Sequence, residues 1–317
     1  MPAMLNCPTL SAAEIAARIS AINIQEALRR AFRSLAEGRA AQPPQTLALF
    51  PGGGGDFITY LGVLADEGVF GAKLSPYLAR PQGGIVTAWT LLMSMESGEP
   101  LLLCDSKQLT TERTAATTAL AVDFLAPEKA TKLAVIGSGP VAQAHLRHVA
   151  RLRSWTQIRV YSPKLAGAPE RAKAVAALDP RVQIAPGLEE ATRGADAILL
   201  CTSAGTPVLD PNGLTSPALV TSISTNLARA HEVPPASLRD MDVYCDFRLT
   251  TPLAAGEMQI AAAEHGWSAA AIAGDLPELA SRRARLPDHS RSVFFRSVGL
   301  GIEDIAVANA VRKSLTS

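Results

Sequence analysis

The sequence lacks long apolar runs and clusters of one charge. No apolar segment reaches the ~18 residues of a membrane-spanning helix, and the first residues (MPAMLNCPTLSAAE) carry no basic-then-apolar secretion signal. The 317 residues have a formal net charge of +1 and no run of Lys or Arg. A partner with an anionic surface, whether nucleic acid or membrane, is therefore not expected.

Cysteine and metal-binding patterns are also scarce. The four cysteines (Cys7, Cys104, Cys201 and Cys245) are widely spaced, lie mostly in apolar runs, and form no C-x-x-C pair. They are typical of reduced thiols in a cytoplasmic protein. No cluster of His, Cys and Asp has metal-ligand spacing, so no metal site is expected. At 48% hydrophobic content the chain can form a large core and about two domains.

One glycine-rich segment carries a specific prediction. The apolar run that begins at Lys132 ends in a G-x-G-x-x-A motif, and a helical pattern follows directly from Gln143. A dinucleotide pyrophosphate needs this order of strand, tight turn and helix N-terminus. The residues predicted to bind the cofactor here are Gly137, Ser138, Gly139, Pro140, Val141 and Ala142.

The acidic residue that usually follows this motif by about 20 residues is missing. The next strand, Gln157–Ser162, leads into Pro163 and Lys164, with Arg171 in the following helix. A hydroxyl group and cations suit a ribose 2′-phosphate, so Ser162 and Lys164 favour NADP(H), with NAD(H) still possible. The alternative is that Lys164 is only a solvated surface charge.

The region before this motif has an α+β pattern. A capping box, Ser11 to Glu14, opens one helix, and an amphipathic segment at Asn23–Gly38 predicts a second. Five strand-like segments follow, the last two forming a predicted hairpin, before a helix at about Thr111–Phe124. These segments are Thr46–Phe50, Phe57–Leu64, Phe70–Leu74, Gly84–Met95 and Pro100–Cys104.

The second region alternates strands and helices, which predicts a parallel, doubly wound sheet. The turn Ser297–Gly301 and a last helix at Ile302–Val311 end the chain. The predicted strands are Leu133–Ile136, Ile158–Tyr161, Val182–Ile184, Ala197–Cys201, Leu219–Ser224, Val243–Cys245 and Val293–Phe295.

Taken together, these motifs make the chain resemble the ornithine cyclodeaminase/mu-crystallin family. The resemblance covers nearly the whole length and rests on the segments Gly71–Lys73, Ser97–Leu101, Leu109–Ala116, Gly137–Ala142 and Ser297–Asp304. It implies an α/β fold in which a Rossmann domain is inserted into an α+β substrate-binding and dimerisation domain. The predicted bounds are 122–297 for the Rossmann domain and 1–121 plus 298–317 for the other, in a homodimer.

The resemblance assigns two cations to substrate binding. Lys73 stands in an apolar segment and Arg113 on a helix of Ala and Thr neighbours, and a buried cation needs an anionic partner. In the family these positions hold the α-carboxylate of an amino or imino acid, beside a turn that matches Ser297 and Gly299. The alternatives are a structural salt bridge for Arg113 and a snorkelling side chain for Lys73.

Two positions depart from the family pattern. Asn226 stands where the cyclodeaminases have a catalytic Asp, and an amide cannot act as a general base near neutral pH. Gln45 stands near a family Arg that contacts the substrate carboxylate. The change at Asn226 argues against ammonia elimination and favours a substrate that already contains a C=N bond. The change at Gln45 suggests a smaller ligand that is held differently.

The sequence therefore predicts an NAD(P)H-dependent reductase of cyclic imino acids, most like the Δ1-pyrroline-2-carboxylate reductases. Lys73 and Asn226 are the predicted catalytic residues, and Thr202, Ser203 and Ser224 are predicted near the nicotinamide. Three alternatives stay open. They are a cyclodeaminase, an open-chain dehydrogenase for alanine or arginine, and a non-catalytic NADPH-binding protein. His231 and Glu232 are interpreted as the start of a helix that binds backbone groups rather than as an acid/base pair.

Overall fold

The computed structural model describes residues 7–80, 82–225 and 229–315. The chain divides into two compact units, one formed by Met1–Arg113 with Gly299–Ser317 and the other by Thr114–Val298. These divisions lie at 113/114 and 298/299, whereas the sequence suggested 121/122 and 297/298. The functional roles given to the two domains stay predictions.

The first unit is a mixed sheet with helices. Six strands follow the order β1-β8-β7-β5-β4-β2, while β3 pairs with β4 and β6 pairs with β5. The strands are β1 (Thr9–Leu10), β2 (Ala40–Ala41), β3 (Thr46–Leu49), β4 (Gly55–Leu64), β5 (Val69–Leu78), β6 (Ile85–Val86), β7 (Trp89–Ser94) and β8 (Pro100–Asp105). The helices are α1 (Ala12–Ile19), α2 (Ile24–Ala36), the start of α3 (Lys107–Leu125) and α10 (Gly301–Lys313).

Local sequence signals explain both N-terminal helices. Ser11 and Glu14 form the predicted capping box of α1, and the Asn23 side chain caps α2 by accepting from the Glu26 N–H group. The predicted hairpin is confirmed, since β7 and β8 pair antiparallel. The segment predicted as one strand at Gly84–Met95 is instead two short strands, β6 and β7.

Glycines let α10 lie directly on the sheet. A Cβ atom on Gly62 of β4 would stand 2.8 Å from the Gly301 carbonyl carbon, and one on Gly301 would stand 2.0 Å from the Leu61 carbonyl oxygen. Gly71 of β5 is equally confined. The N-terminus of α10 is thereby fixed against the middle of β4 and β5, next to Lys73.

The second unit is a doubly wound parallel sheet, and the predicted α/β fold class is confirmed. Its order, β11-β10-β9-β12-β13-β16-β14-β15, reverses direction between β9 and β12. The strands are β9 (Lys132–Ile136), β10 (Gln157–Tyr161), β11 (Val182–Ile184), β12 (Ala197–Leu200), β13 (Leu219–Ser222), β14 (Asp242–Cys245), β15 (Ile272–Asp275) and β16 (Val293–Arg296). The helices are the rest of α3, α4 (Pro140–Val149), α5 (Pro169–Ala176), α6 (Leu188–Thr192), α7 (Thr251–Ala254), α8 (Gly256–Glu264) and α9 (Leu276–Ala280).

Burial of both sheet faces explains the apolar composition of the central strands, since β12 is fully buried along its length. The sequence did not predict β15, whose four residues include Gly274. Among the described residues, no helix combines the length and the apolar character needed to cross a membrane. The same residues contain no group of three His, Cys, Asp or Glu side chains able to hold a metal ion.

Candidate active site

The glycine-rich loop joins β9 to α4 at the point where the sheet order reverses. Gly137 has a φ of +133°, and a Cβ atom there would stand 2.4 Å from the Cys201 carbonyl oxygen, so only glycine fits. Its N–H group donates to the Tyr161 carbonyl at 2.8 Å. The loop is therefore held between the ends of two neighbouring strands.

The rest of the loop fits a dinucleotide pyrophosphate. Gly139 is the N-cap of α4 without a side-chain capping bond, and no atom lies within 4 Å of where its Cβ would stand. The Ser138 hydroxyl is buried, and none of the described residues forms a hydrogen bond with it. Ala142 is 1% exposed, as a small residue between helix and strand should be. The open backbone, the unused hydroxyl and the helix N-terminus suit an anion.

The end of β10 offers hydroxyl and cationic groups. The Ser162 side chain accepts from the Lys164 N–H group at 3.4 Å, and Lys164 itself is exposed. Arg171 reaches back to the glycine-rich loop, where its Nη2 donates to the Ser138 carbonyl at 3.3 Å. The structure thus brings Arg171 to the loop that is predicted to hold the phosphates.

A buried carboxylate organises the two strand ends next to this loop. Glu232 is 0% exposed and accepts hydrogen bonds from groups that follow β12 and β13, including the Thr202 hydroxyl at 2.6 Å and the Ser224 N–H group at 3.1 Å. Ser203 is exposed in the same loop. The predicted binding of backbone groups by Glu232 is confirmed, but Glu232 does not open a helix, since the next helical turn begins at Pro235.

Ser297, at the end of the second unit, is turned toward the interior. It is 2% exposed, and its hydroxyl donates to Asp246 Oδ2 at 3.1 Å. The neighbouring Arg296 forms a buried ion pair with Glu257, Nε to Oε1 at 2.8 Å. Burial raises the Glu257 pKa while Arg296 lowers it. Ser297 therefore has a structural hydrogen bond, and its predicted role in substrate binding stays a prediction.

In the first unit, Lys73 projects from β5 toward the N-terminus of α10. Its Nζ lies 2.9 Å from Asp304 Oδ2 and 4.0 Å from the centre of the Tyr60 ring, opposite it on β4. Lys73 is 1% exposed. Burial lowers the pKa of Lys73 to about 8, although Asp304 opposes the change. Lys73 can therefore exchange a proton near neutral pH.

Arg113 lies beside the same helix end. Its Nε donates to Asp304 Oδ1 at 3.1 Å and its Nη1 to Glu303 Oε2 at 2.9 Å. Within the described residues, its Nη2 has no hydrogen-bond partner. Two carboxylates keep the Arg113 pKa raised despite burial. A guanidinium with one edge occupied can still present the other to an anion.

Gly299 and Gln45 complete this cluster. Gly299 has a φ of +82°, and a Cβ atom there would stand 2.3 Å from Arg113 Nη1. The Gln45 side chain donates to the Gly299 carbonyl at 2.8 Å. The neighbouring Gln42 accepts from the Ile302 N–H group at 3.0 Å and so caps α10. The structure thus brings together Lys73, Arg113, Gln45 and Gly299, and their predicted roles in catalysis and substrate binding stay predictions.

Some site residues were missed or cannot be placed. Asn226 lies outside the described residues, so its predicted catalytic role stays a prediction. The sequence assigned no site role to Glu303 and Asp304, yet both are buried ion-pair partners of the predicted site cations. Two adjacent acids in an otherwise apolar helix were the available signal. The role of Asp275, which had no interpretation, is to cap α9 together with Glu278.

Comparison with known proteins shows the family of the chain. Residues 8–317 match the profile of the ornithine cyclodeaminase/mu-crystallin family. The chain is 59% identical over 299 residues to an NAD(P)H-dependent anabolic L-arginine dehydrogenase of Pseudomonas aeruginosa, covering 94% of both chains. It is 26% identical over 228 residues to a Δ(1)-pyrroline-2-carboxylate reductase of Colwellia psychrerythraea, covering 71% of this chain and 72% of that one.

A solved structure shows the same fold. The Thermococcus litoralis Δ(1)-pyrroline-2-carboxylate reductase, solved in complex with NADH and L-proline, superposes with a TM-score of 0.88 at 24% identity. The match covers 98% of this chain and 97% of that one.

Proposed function

The chain belongs to the ornithine cyclodeaminase/mu-crystallin family. We propose that it forms an L-amino acid of the arginine type by reducing the imine of the corresponding 2-oxo acid. The prediction of an NAD(P)H-dependent oxidoreductase acting on a carbon–nitrogen bond is confirmed by its relatives. The single observation that carries the choice of substrate is the 59% identity to the L-arginine dehydrogenase along 94% of both chains. The reductase of pyrroline-2-carboxylate is far more distant, at 26%.

The reaction balances with one hydride and one proton. The 2-oxo acid condenses with ammonia to an imino acid and water, and reduction then adds a hydride at C2 and a proton at the nitrogen to give the L-amino acid. Bound NAD(P)H supplies the hydride. The protein's residues must therefore hold the carboxylate, keep the imine protonated and exclude water.

Arg113 is the proposed carboxylate anchor. Its Nε and Nη1 are fixed by Asp304 and Glu303, so the guanidinium plane has one orientation. Its Nη2 carries no hydrogen bond to a described residue and is the donor available for a substrate oxygen. Gly299 supports this role, because its missing side chain leaves the space that Arg113 occupies.

Lys73 is the proposed proton donor. A C=N bond accepts a hydride more readily when its nitrogen is protonated. A proton donor works best when its pKa lies near the working pH. The Lys73 pKa of about 8 meets this condition. Asp304 fixes the position of Nζ, and the Tyr60 ring covers its other side at 4.0 Å.

A carboxylate suited to a cationic substrate side chain lies on the same face of the sheet. Asp56 and Tyr60 both lie on β4, four positions apart, and Tyr60 stands opposite Lys73. Residues an even number of positions apart on a strand share a face of the sheet. Asp56 therefore faces the same side as Tyr60, at about 13 Å from it along the strand. No described residue pairs with the Asp56 carboxylate. An extended arginine-type side chain with a hydrogen bond at each end can span this distance, so we assign Asp56 to its guanidinium group.

The same proposal includes the cofactor preference and the assembly. Ser162 and Lys164 at the end of β10, without an acidic residue, favour the 2′-phosphate of NADPH over the ribose hydroxyl of NADH. The face of the first sheet opposite Lys73 exposes Leu61, Leu74 and Leu91 at 42%, 44% and 39%. An apolar sheet face of this kind supports a homodimer. The cytoplasmic location stays a prediction.

A second candidate is reduction of a cyclic imino acid, the function favoured by the sequence. Asn226 supports it, because an amide in place of an acid removes the base that ammonia elimination requires. The same Lys73 and Arg113 would bind a ring carboxylate. Within the described part of the chain, we expect the region around Asp56 to distinguish the two substrates.

The test is NADPH consumption by the purified protein with the 2-oxo acid of arginine plus ammonium, compared with Δ1-pyrroline-2-carboxylate. The expected result is a higher kcat/KM for the open-chain pair and formation of L-arginine. A higher kcat/KM for the cyclic imine would overturn the substrate and establish the second candidate. Ammonia release from L-ornithine without net NADPH consumption would overturn both.

A further inference from the structure

Glu232 is a heavily hydrogen-bonded carboxylate of the second unit that the proposed reaction does not use. It is completely buried, and it accepts five hydrogen bonds. The donors are Thr202 N (2.9 Å), Thr202 Oγ1 (2.6 Å), Ser222 Oγ (2.8 Å), Ile223 N (3.0 Å) and Ser224 N (3.1 Å). Simple packing does not require so many donors on one side chain.

The donors lie at the ends of two neighbouring strands and in the loops that follow them. Thr202 follows β12, and Ile223 and Ser224 follow β13, which pairs with β12 in parallel. A second bond, from Ser224 Oγ to the Ala204 carbonyl at 2.6 Å, ties the same loops together. In a doubly wound sheet, the half beyond the reversal point receives the second nucleotide of the cofactor. With the pyrophosphate loop at β9, these are the loops that face the nicotinamide half.

Among the described residues, no Lys, Arg or His side chain forms a direct ion pair with Glu232. The Ser222 hydroxyl lies between Arg296 and Glu232, because Arg296 Nη1 is 3.4 Å from Ser222 Oγ and that hydroxyl donates to Glu232. The Arg296 Nε is paired with Glu257 at 2.8 Å. Two buried carboxylates thus share one guanidinium. The Glu232 carboxylate itself is held by neutral N–H and O–H groups.

We propose that Glu232 is a positioning residue that clamps the loops after β12 and β13, with its negative charge favouring the oxidised, cationic nicotinamide over the neutral reduced one. The inference rests on the proposed function only in assuming that the chain binds NAD(P)(H). A buried charge acts on a developing positive charge more strongly than a solvated one. Glu232 touches neither reacting atom and acts through Thr202 and Ser224.

The variant Glu232→Gln tests both parts. The amide keeps the shape of the side chain but replaces one acceptor oxygen by an NH₂ donor. That NH₂ group would face other donors in either orientation: Thr202 on one side, or Ser222, Ile223 and Ser224 on the other. The measurement is the Kd of NADP+ by calorimetry and of NADPH by fluorescence titration, on the purified protein without substrate. The expected result is a rise in the ratio of Kd for NADP+ to Kd for NADPH on the order of tenfold. Glu232→Asp, which keeps the charge, should restore most of the wild-type ratio.

The matched control is Asp275→Asn. Asp275 is also buried in the second unit and also accepts from backbone N–H groups, but it caps α9 at the far edge of the sheet. It should lower thermal stability while leaving the ratio of the two Kd values unchanged. This separates a cofactor effect from a general loss of stability.

A wild-type ratio in Glu232→Gln, or an equal change in Asp275→Asn, would overturn the inference. If Glu232→Gln does not fold, the test passes to Glu232→Asp, which keeps the charge on a shorter side chain. An unchanged ratio of the two Kd values together with a lowered kcat would then support the positioning role of Glu232. An unchanged kcat and unchanged affinities in that variant would overturn it. Wild-type protein that binds dinucleotide but reduces neither substrate would overturn the proposed function alone. Wild-type protein that binds no dinucleotide would overturn both.

Discussion

Lys73 and Arg113 are held by the two oxygens of one carboxylate, with Asp304 Oδ2 at 2.9 Å from Lys73 Nζ and Oδ1 at 3.1 Å from Arg113 Nε. Asp304 lies in the first turn of α10, which glycines fix against the sheet. The helix end therefore sets the separation of the two cations. A proton donor and a carboxylate anchor need such a fixed separation to place an imine between them.

The pH profile is the first prediction. Because burial lowers the Lys73 pKa to about 8, Lys73 is protonated below that pH and loses its proton above it. As proton donor it must be charged, so kcat/KM for reduction should fall about tenfold per pH unit above about 8. Initial rates measured across pH give this descending limb of kcat/KM. A Lys73→Arg variant that is active but lacks the limb would confirm the assignment. An identical limb in Lys73→Arg would exclude Lys73.

Asp304→Asn should move this limb and destabilise the protein. The Asp304 charge raises the Lys73 pKa, so its loss should shift the limb to lower pH. It also leaves two buried cations with less compensation, which typically costs about 3–5 kcal/mol of unfolding free energy. Denaturant unfolding and pH profiles measure the two effects. A limb that stays in place would show that Asp304 does not act on Lys73.

Gly299→Ala should weaken substrate binding without affecting the cofactor. The new Cβ would stand 2.3 Å from Arg113 Nη1, so the guanidinium must move. KM for the 2-oxo acid should rise on the order of tenfold, with the Kd of NADPH unchanged. Gly68→Ala is the control, since its φ of +65° imposes similar strain but no atom lies within 4 Å. Equal KM changes in both variants would mean that strain alone is responsible.

Ser162→Asp should reverse the cofactor preference. A carboxylate at the end of β10 can accept from the ribose hydroxyls of NADH and repels the 2′-phosphate of NADPH. The ratio of kcat/KM for NADPH to that for NADH should fall by more than about tenfold. Lys173→Ala, which changes an exposed cation on α5, should leave this ratio unchanged. An unaltered preference in Ser162→Asp would place the 2′-phosphate elsewhere.

Asp56→Asn should reduce the preference for a cationic side chain. The neutral amide no longer pairs with a guanidinium, so KM for the 2-oxo acid of arginine should rise on the order of tenfold. The rate with Δ1-pyrroline-2-carboxylate, which has no such group, serves as the internal control and should not change. A parallel loss with both substrates would show that Asp56 supports the sheet rather than specificity.

Much of the fold followed from local patterns. The strand and loop at Gly137 were recognisable because a positive φ and close backbone approach admit only glycine there. The parallel sheet followed from alternating apolar strands and helices. The strand β15 was not predicted, because its four residues pair with β14 across a shifted register and have no periodicity of their own.

The ion-pair partners of the site were harder to predict. Arg113 and its partners Glu303 and Asp304 are 190 and 191 residues apart in the chain, so only the fold brings them together. The sequence indicated that both site cations need anions but not which ones. Glu232 was predicted to bind backbone, yet its five donors come from loops whose meeting depends on the pairing of β12 and β13.

The most direct measurement follows the hydride. Protein incubated with NADPH that carries deuterium at both C4 positions, the 2-oxo acid of arginine and ammonium should yield L-arginine with deuterium at C2, detected by mass spectrometry and NMR. One deuterium is expected at that carbon, with a much lower yield from Arg113→Ala. L-arginine without deuterium at C2, or no product while Δ1-pyrroline-2-carboxylate gives deuterated L-proline, would contradict it.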